Sequence, residues 1–287
     1  MTTAISDVTS SDPGPPVGGG SADPVLSFGS PGIGQRIPHA SLLFGTVGVL
    51  LLLVAWQVCA VTGVVDIHIS SDPTQVLRQD IHLFSTGAIW APIGTTATEV
   101  GWALAIIILA GIPLGIVLGR FAMLRQMADP IVSILNSVPY VLFLPLIIFW
   151  FGLGERSRVV VVIWAGILPL IINTQAGVRN IDRDYLRVGT VFSVSRLRFF
   201  TSILIPAAMP FILTGLRLAV ARALVGAIVV EFFLSANGLG YFVQNATSNF
   251  EMSTAMAGIV VMAVAALLLT RLIGAVERRV ISWSQAQ

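Results

Sequence analysis

IDRDYLRVGTVFSVSRLRFFTSILIPAAMPFILTGLR, residues 181–217, is the stretch on which the reading of this chain turns. It lies between two long apolar runs, and five arginines fall between Arg179 and Arg198. Two readings compete. In one, it is a cytoplasmic loop made basic only by the excess of positive residues that inner loops of membrane proteins carry. In the other, it is a docking element for a partner. Tyr185, Val188, Val191 and Phe192 recur at helical spacing and offer an apolar ridge. Arg187, Arg196 and Arg198 surround that ridge with charge. An apolar anchor with a charged rim gives a small interface both affinity and register. The plainer alternative is a ridge that packs back on the protein's own helix ends.

Outward from this stretch the chain is apolar enough to need a membrane. Of 287 residues, 55% are hydrophobic and 10% charged, with a mean hydropathy of +0.90; soluble domains carry about 25% charged residues. A helix needs about 20 apolar residues to cross a bilayer. Six runs qualify, at about 41–63, 97–119, 131–151, 158–177, 210–233 and 253–275. The expected fold is therefore all-α, a polytopic membrane protein of six transmembrane helices. Pro113, Pro139, Pro145 and Pro169 fall inside or near these runs, which membrane helices tolerate when neighbours re-satisfy the freed carbonyls. Gly111, Gly115 and Gly119 have the small-xxx-small spacing that lets helices approach closely.

The positive charges set the orientation. With the N-terminus inside, the inner side collects eleven arginines and the outer side keeps Arg78, Arg156 and Arg158. Both termini and the loop 178–209 are then cytoplasmic, and 64–96 lies outside. In that outer segment Val76, Leu77, Ile81 and Phe84 suggest a short amphipathic helix on the membrane surface or against helix ends. Residues 1–40 form a tail rich in Ser, Pro, Gly and Asp, with too little apolar content to repay ordering. No charged segment precedes an early apolar run, so the tail does not read as a signal peptide. The domain is 41–283, followed by the short tail 284–287.

Composition also excludes chemistry. The chain has no lysine, and a Walker A loop needs one on the nucleotide phosphates. The single Cys59 excludes an intrachain disulfide, and three scattered histidines suggest no metal site. No nucleophile, carboxylate dyad or metal set stands within the spans, as a membrane enzyme would require. Arg222 sits mid-way along the fifth run, where it should not face lipid. It either supports neighbouring carbonyls or a carboxylate, or lines a polar path for an anion. Glu231 lies nine residues on, near the opposite face of the same helix. Asn237, Gly238 and Gly240 mark a turn beyond the fifth run, either a simple loop or part of an outer gate.

The pieces DPTQVL (72–77), GIPLGIVLGR (111–120), NSVPYVLFLPLIIFWFGLGERSR (136–158), ILPLIINTQAGVR (167–179), ILIPAAMPFILTGLRLAVARALVGAIVVEFF (203–233), NGLGY (237–241) and ERRVISW (277–283) stand in family order. Over residues 72–283 the chain resembles permeases of the nitrate/sulfonate/taurine branch of type I ATP-binding-cassette (ABC) importers. The stretch 181–217 resembles their "EAA" loop, which folds as a coupling helix in a groove of the ATPase subunit. The resemblance implies the type I importer permease fold and coupling contacts from Tyr185, Arg187, Val188, Gly189, Val191, Phe192, Ser193 and Arg196. Arg222, Glu231, Asn237, Gly238 and Gly240 become pore or gate candidates. It implies a multi-pass subunit of the bacterial plasma (inner) membrane, with no cofactor of its own, since ATP and Mg would be bound by the partner. The partners would be a second permease copy in a homodimer, two ATPase subunits, an extracytoplasmic solute-binding protein and the lipid bilayer, with no nucleic acid. The subunit would move a small anionic solute inward by alternating access.

Five positions depart from the family pattern. Anchored on Pro206, the loop's usual Glu falls at Arg187, its alanines at Val188 and Gly189 and its usual Gly at Ser193, while Glu99 stands where the branch has a base. The alternative function is a secondary transporter without an ATPase. That class shows intramembrane acids or an inverted repeat; no repeat is visible, and Glu231 is the acid that stands out within the runs.

Overall fold

The computed structural model describes residues 38–63, 71–181, 195–234 and 237–280. The greater part of the N-terminal tail, residues 182–194 of the basic loop and the C-terminal tail lie outside the described residues. By contact the chain divides into two units, 1–51 and 52–287. The described part of the first is only the opening of one helix; the second holds the packed bundle.

Among the described residues every regular element is helical. In order they are α1 (Pro38–Val61), α2 (Pro73–Thr86), α3 (Trp90–Arg120), α4 (Ala122–Ser137), a 3-10 turn (Tyr140–Phe143), α5 (Leu144–Phe151), α6 (Glu155–Arg179), α7 (Arg196–Phe199), a π-turn (Phe200–Leu204), α8 (Ile205–Leu234), α9 (Leu239–Ser248) and α10 (Met252–Val280). Five helical stretches are long and apolar enough to cross a membrane, and six if the bent α4–α5 pair counts as one. The all-α reading holds.

α6 is the central helix, packed between α3 and α8. Lipid tails are as apolar as leucine, so helices in a bilayer associate through close packing rather than through burial from water. Glycine provides that closeness here. A Cβ on Gly115 would stand 2.5 Å from Thr174 Cβ and 2.9 Å from the Ile171 carbonyl; one on Gly119 would meet Val178 Cβ at 2.6 Å. The glycine stripe read in the sequence is thus the α3 face that meets α6. On the other side of α6, Gly226 of α8 sits against Ala165. Ala103, Ile107, Val161, Val162, Leu170, Ala219, Ala223 and Ala227 complete this core.

The apolar run 131–151 differs from the single span expected. It is bent by 93° between Ser137 and Tyr140. Pro139 is the cause: a residue before proline is pushed out of the helical region, and Val138 is extended at φ −84°, ψ 127°. The amphipathic helix α2 is present, but its packed face differs from the expected one. Val76 and Leu83 are buried, against α10, whereas Leu77 and Ile81 are each 62% exposed and Phe84 is exposed too. The inward line is spaced i, i+7, and the outward one lies about 100° round the helix.

α2 starts on Asp72, whose carboxylate accepts from the Gln75 backbone N–H at 2.9 Å. The Thr74 hydroxyl, and after it that N–H, hold the Asp72 carboxyl below its ordinary value of 3.8. A carboxyl so depressed stabilises the fold above its unfolded value, and the contribution is lost as pH falls through the lower folded one. Asp72→Ala should loosen α2 by about 1 kcal/mol at neutral pH, read as faster hydrogen exchange at the Gln75 amide, and acid below 3.8 should progressively abolish the difference from wild type. Gly115→Ala should lower stability by about 1–3 kcal/mol through overpacking, because a carbonyl at 2.9 Å has no rotamer to retreat into. Gly101→Ala on the same helix, with nothing within 4 Å, is the control; thermal unfolding in detergent checks both.

Candidate functional site

α8 carries the chain's polar features through the membrane, and the structure separates them into two places. Midway along α8, Arg222, Ala221 and Val225 face the bend residues 136–140 across an open cleft of about 480 Å³. The bend makes this wall: α4 stops at Ser137, Val138 is extended, and Pro139 and Tyr140 turn away. Arg222 is exposed. Its Nη1 donates to Asn136 Oδ1 at 3.3 Å, a long bond. Among the described residues no carboxylate pairs with it.

At the other end of α8, Glu231 is wholly buried. Its Oε1 accepts from the Thr96 hydroxyl at 2.6 Å and its Oε2 from the Gly240 N–H at 2.8 Å. Thr96 Oγ1 in turn accepts from the Leu239 N–H at 2.9 Å. One carboxylate and one hydroxyl thereby satisfy the first backbone donors of α9, which its own N-cap residue leaves without a side-chain bond. The two glycines are required by this packing. Gly238 has φ +105°, and a Cβ there would strike the Glu231 carboxylate; a Cβ on Gly240 would stand 2.5 Å from the Ile228 carbonyl. Glu231, Gly238 and Gly240, candidates for a pore or gate, are therefore found in a closed polar knot that joins α3, α8 and α9. Asn237 precedes the knot and is exposed.

Glu99 lies one turn along α3 from Thr96 and is 1% exposed. Arg158 of α6 donates its Nε to Glu99 Oε1 at 2.5 Å, while Oε2 is buried with no partner among the described residues. The sequence marks Glu99 as a departure and Arg158 as an outer arginine, but nothing in their spacing pairs them. α3 begins at Trp90 rather than near 97, so Glu99 lies well inside the spanning helix instead of at its first turn. Nearer the other end, Arg217 of α8 pairs with Glu277 of α10. Of the loop residues, Tyr185, Arg187, Val188, Gly189, Val191, Phe192 and Ser193 lie outside the described residues, and Arg196 opens α7.

Thr96→Val keeps the shape of the side chain and removes its hydroxyl. It should cost about 2–4 kcal/mol, since the Leu239 N–H and one Glu231 oxygen lose their partner in a buried place. Hydrogen exchange at Leu239 and protease cleavage near 237–241 should both accelerate, with the α3–α6 core unaffected.

The family described as "binding-protein-dependent transport system inner membrane component" matches residues 111–282. The taurine transport system permease protein TauC of Escherichia coli (strain K12) is 30% identical over 250 residues, covering 85% of this chain and 90% of that one. The nitrate import permease protein NrtB of Leptolyngbya laminosa is 30% identical over 260 residues, covering 87% and 89%. The putative aliphatic sulfonates transport permease protein SsuC of Bacillus subtilis (strain 168) is 27% identical, covering 81% and 84%. Among solved structures, a chain of the MetNI methionine ABC transporter in an inward-facing conformation aligns at a TM-score of 0.60 and 16% identity, covering 68% of this chain and 98% of that one. That likeness carries the fold. With a bundle of spanning helices, a family match over more than half its length and relatives aligned almost end to end, this chain belongs to the binding-protein-dependent transport system inner membrane components and is the permease subunit of an ABC importer.

Proposed function

We propose that this permease works as one of two identical copies, joined to two ATPase subunits that bind ATP and Mg on the cytoplasmic side and fed from outside by a solute-binding protein. Its cargo is a small solute with an oxyanion head group. In this reading both termini are cytoplasmic, as the arginine distribution indicates. ATP hydrolysis belongs to the partner, since a chain without lysine has no Walker A loop. The taurine, nitrate and sulfonate named for its relatives share an oxyanion.

The observation that carries the coupling is the continuity of the helical path from Arg196 to Leu234. α7, the π-turn and α8 follow one another without a break, over roughly 55–60 Å at the helical rise. That is longer than the ~30 Å hydrocarbon core of a bilayer. One end adjoins the basic loop; the Arg222 cleft lies along the way; the Glu231 knot stands at the far end. A displacement of the loop by an ATPase therefore has a direct mechanical route to both.

The loop residues Tyr185, Arg187, Val188, Gly189, Val191, Phe192, Ser193 and Arg196 form the docking surface in this reading, with Arg187 and Ser193 in place of the usual acid and glycine. Phe192→Asp should leave an inserted permease that no longer retains its ATPase subunit, because an unpaired charge in a dry groove is costly. Pull-down of the ATPase and ATP-driven uptake into vesicles are the readouts. Wild-type levels of both would remove the ridge from the interface.

A further inference from the structure

The Arg222 cleft does more than accommodate an awkward charge. We infer that it is an oxyanion subsite on the translocation path, in which the Arg222 guanidinium, beside Asn136 and Tyr140, takes the sulfonate, nitrate or carboxylate group of the solute. This deepens the importer reading above and rests on it.

The charge is in an expensive place. Arg222 stands seventeen residues after Ile205 and twelve before Leu234, so about 26 Å and 18 Å from the two ends of α8 at the helical rise. An arginine at such depth costs about 2.5–3.5 kcal/mol on insertion scales and is found facing a cavity or a partner. The same depth sets it away from lipid head groups, which removes lipid phosphate as its natural ligand.

The charge is also unspent. Arg158 meets Glu99, and Arg217 meets Glu277. Among the described residues Arg222 meets one amide oxygen, at 3.3 Å, and four of its five N–H donors have no partner there. The acid on its own helix cannot serve it, because Glu231 is nine residues away and bonded to Thr96 and Gly240. A purely structural arginine would have its donors taken up by carbonyls or a carboxylate.

An independent feature marks the same spot as open to water. Non-helical backbone at membrane depth is tolerated where it is buried in protein or lines a cavity. The break at Val138–Pro139 forms the wall facing Arg222, and Asn136, Ser137 and Pro139 are exposed there. The opening of about 480 Å³ is within the size range of small-molecule sites. A planar guanidinium matches two oxygens of a sulfonate, carboxylate or nitrate in one fork. The neutral amide beside it competes weakly, so the solute can displace it and later be displaced, as conduction requires.

The test uses the full-length permease in membranes, with no partner subunit. In a Cys59→Ala background, Ser137→Cys places a thiol in the cleft. Its rates with the anionic sulfonatoethyl and the cationic trimethylammonioethyl methanethiosulfonate are compared, each relative to free mercaptoethanol. A site as inferred should favour the anionic reagent about tenfold, the order expected for one nearby charge in a partly solvated cleft. Arg222→Gln should bring the ratio to parity, and Arg222→Lys should preserve it. Millimolar ethanesulfonate should slow the reaction in wild-type and Arg222→Lys backgrounds but not with Arg222→Gln. A thiol inert to both reagents, a preference that survives Arg222→Gln, or a preference without protection by ethanesulfonate would each overturn the subsite. Failure of the importer reading is separate: it would appear as an ATPase that never co-purifies, whatever the thiol reports.

Discussion

Backbone-to-backbone contact along α6 is the constraint on which the rest of this structure depends. A bilayer supplies no hydrophobic drive between helices, so α3, α6 and α8 are held by dispersion at short range. Dispersion falls off within an ångström of optimal contact. The glycines of α3 and the Gly226–Ala165 contact of α8 bring the axes close enough for it to act. The cost of such an arrangement is intolerance: Gly115, Gly119 and Gly166 each have a neighbouring carbonyl within 3.0 Å of where a Cβ would be. Three helices fastened in this way form one tightly packed body, and α4, the bend and α5 are less tightly bound at its margins.

Low polarity around that body dictates how each charge is handled. Glu99 is buried against Arg158, a pair whose Coulomb attraction mainly repays desolvation, and whose breaking would leave an uncompensated charge. Glu231 is buried with no cation bonded to it among the described residues; a hydroxyl and a backbone N–H satisfy its oxygens, which ties it to the start of α9. Arg217 and Glu277 pair where Arg217 is 50% exposed, and such pairs contribute little. Arg222 follows none of these patterns. Buried acids in a transporter invite a reading of ion coupling, but Glu99 and Glu231 are each engaged with a neighbour of the same bundle, and the arginine is the group left facing the opening.

Composition and local period make the helical class and the glycine stripe legible, because these depend on nothing else; the six spans expected become five, or six if the bent pair is counted as one. A single straight span at 131–151 is the wrong reading for a physical reason. Hydropathy averages over a window and does not register that Pro139 forces Val138 out of the helix, which in this context produces a bend instead of a kink. Period alone also misassigns the packed side of α2, since Val76 belongs to both possible apolar lines and only the neighbouring α10 chooses between them. Arg222 stands out in the sequence as a mid-span charge, but Asn136 cannot be named there as its neighbour. The pairs Glu99–Arg158 and Glu231–Thr96 join residues 59 and 135 positions apart, and no local pattern encodes such distances. The Gly238–Gly240 stretch is legible as a turn; that its glycines make room for a carboxylate is not.

The junction between the basic loop and α8 shows how a helical path can be both continuous and compliant. Pro206 has no N–H, and in a regular helix its ring would press on the carbonyl four residues earlier. The chain answers with the π-turn Phe200–Leu204, in which the Ile205 N–H reaches back five residues to Phe200. The wider turn absorbs the proline without ending the helix, at the expense of poorer hydrogen-bond geometry over one turn. Leu204, Ala208 and Ile212 seat this weakened segment against Ile116 of α3 and Val178 of α6. Beyond it, α8 lies against α6 through Ala219, Ala223 and Ala227, none of them exposed. Stiffness therefore rises along the path from the loop toward the Glu231 knot. A force applied at the loop would be taken up first as bending at the π-turn and transmitted onward only through the Leu204–Ile212 seat. On the importer reading, that seat is where the ATPase's motion becomes motion of the wall that carries Arg222.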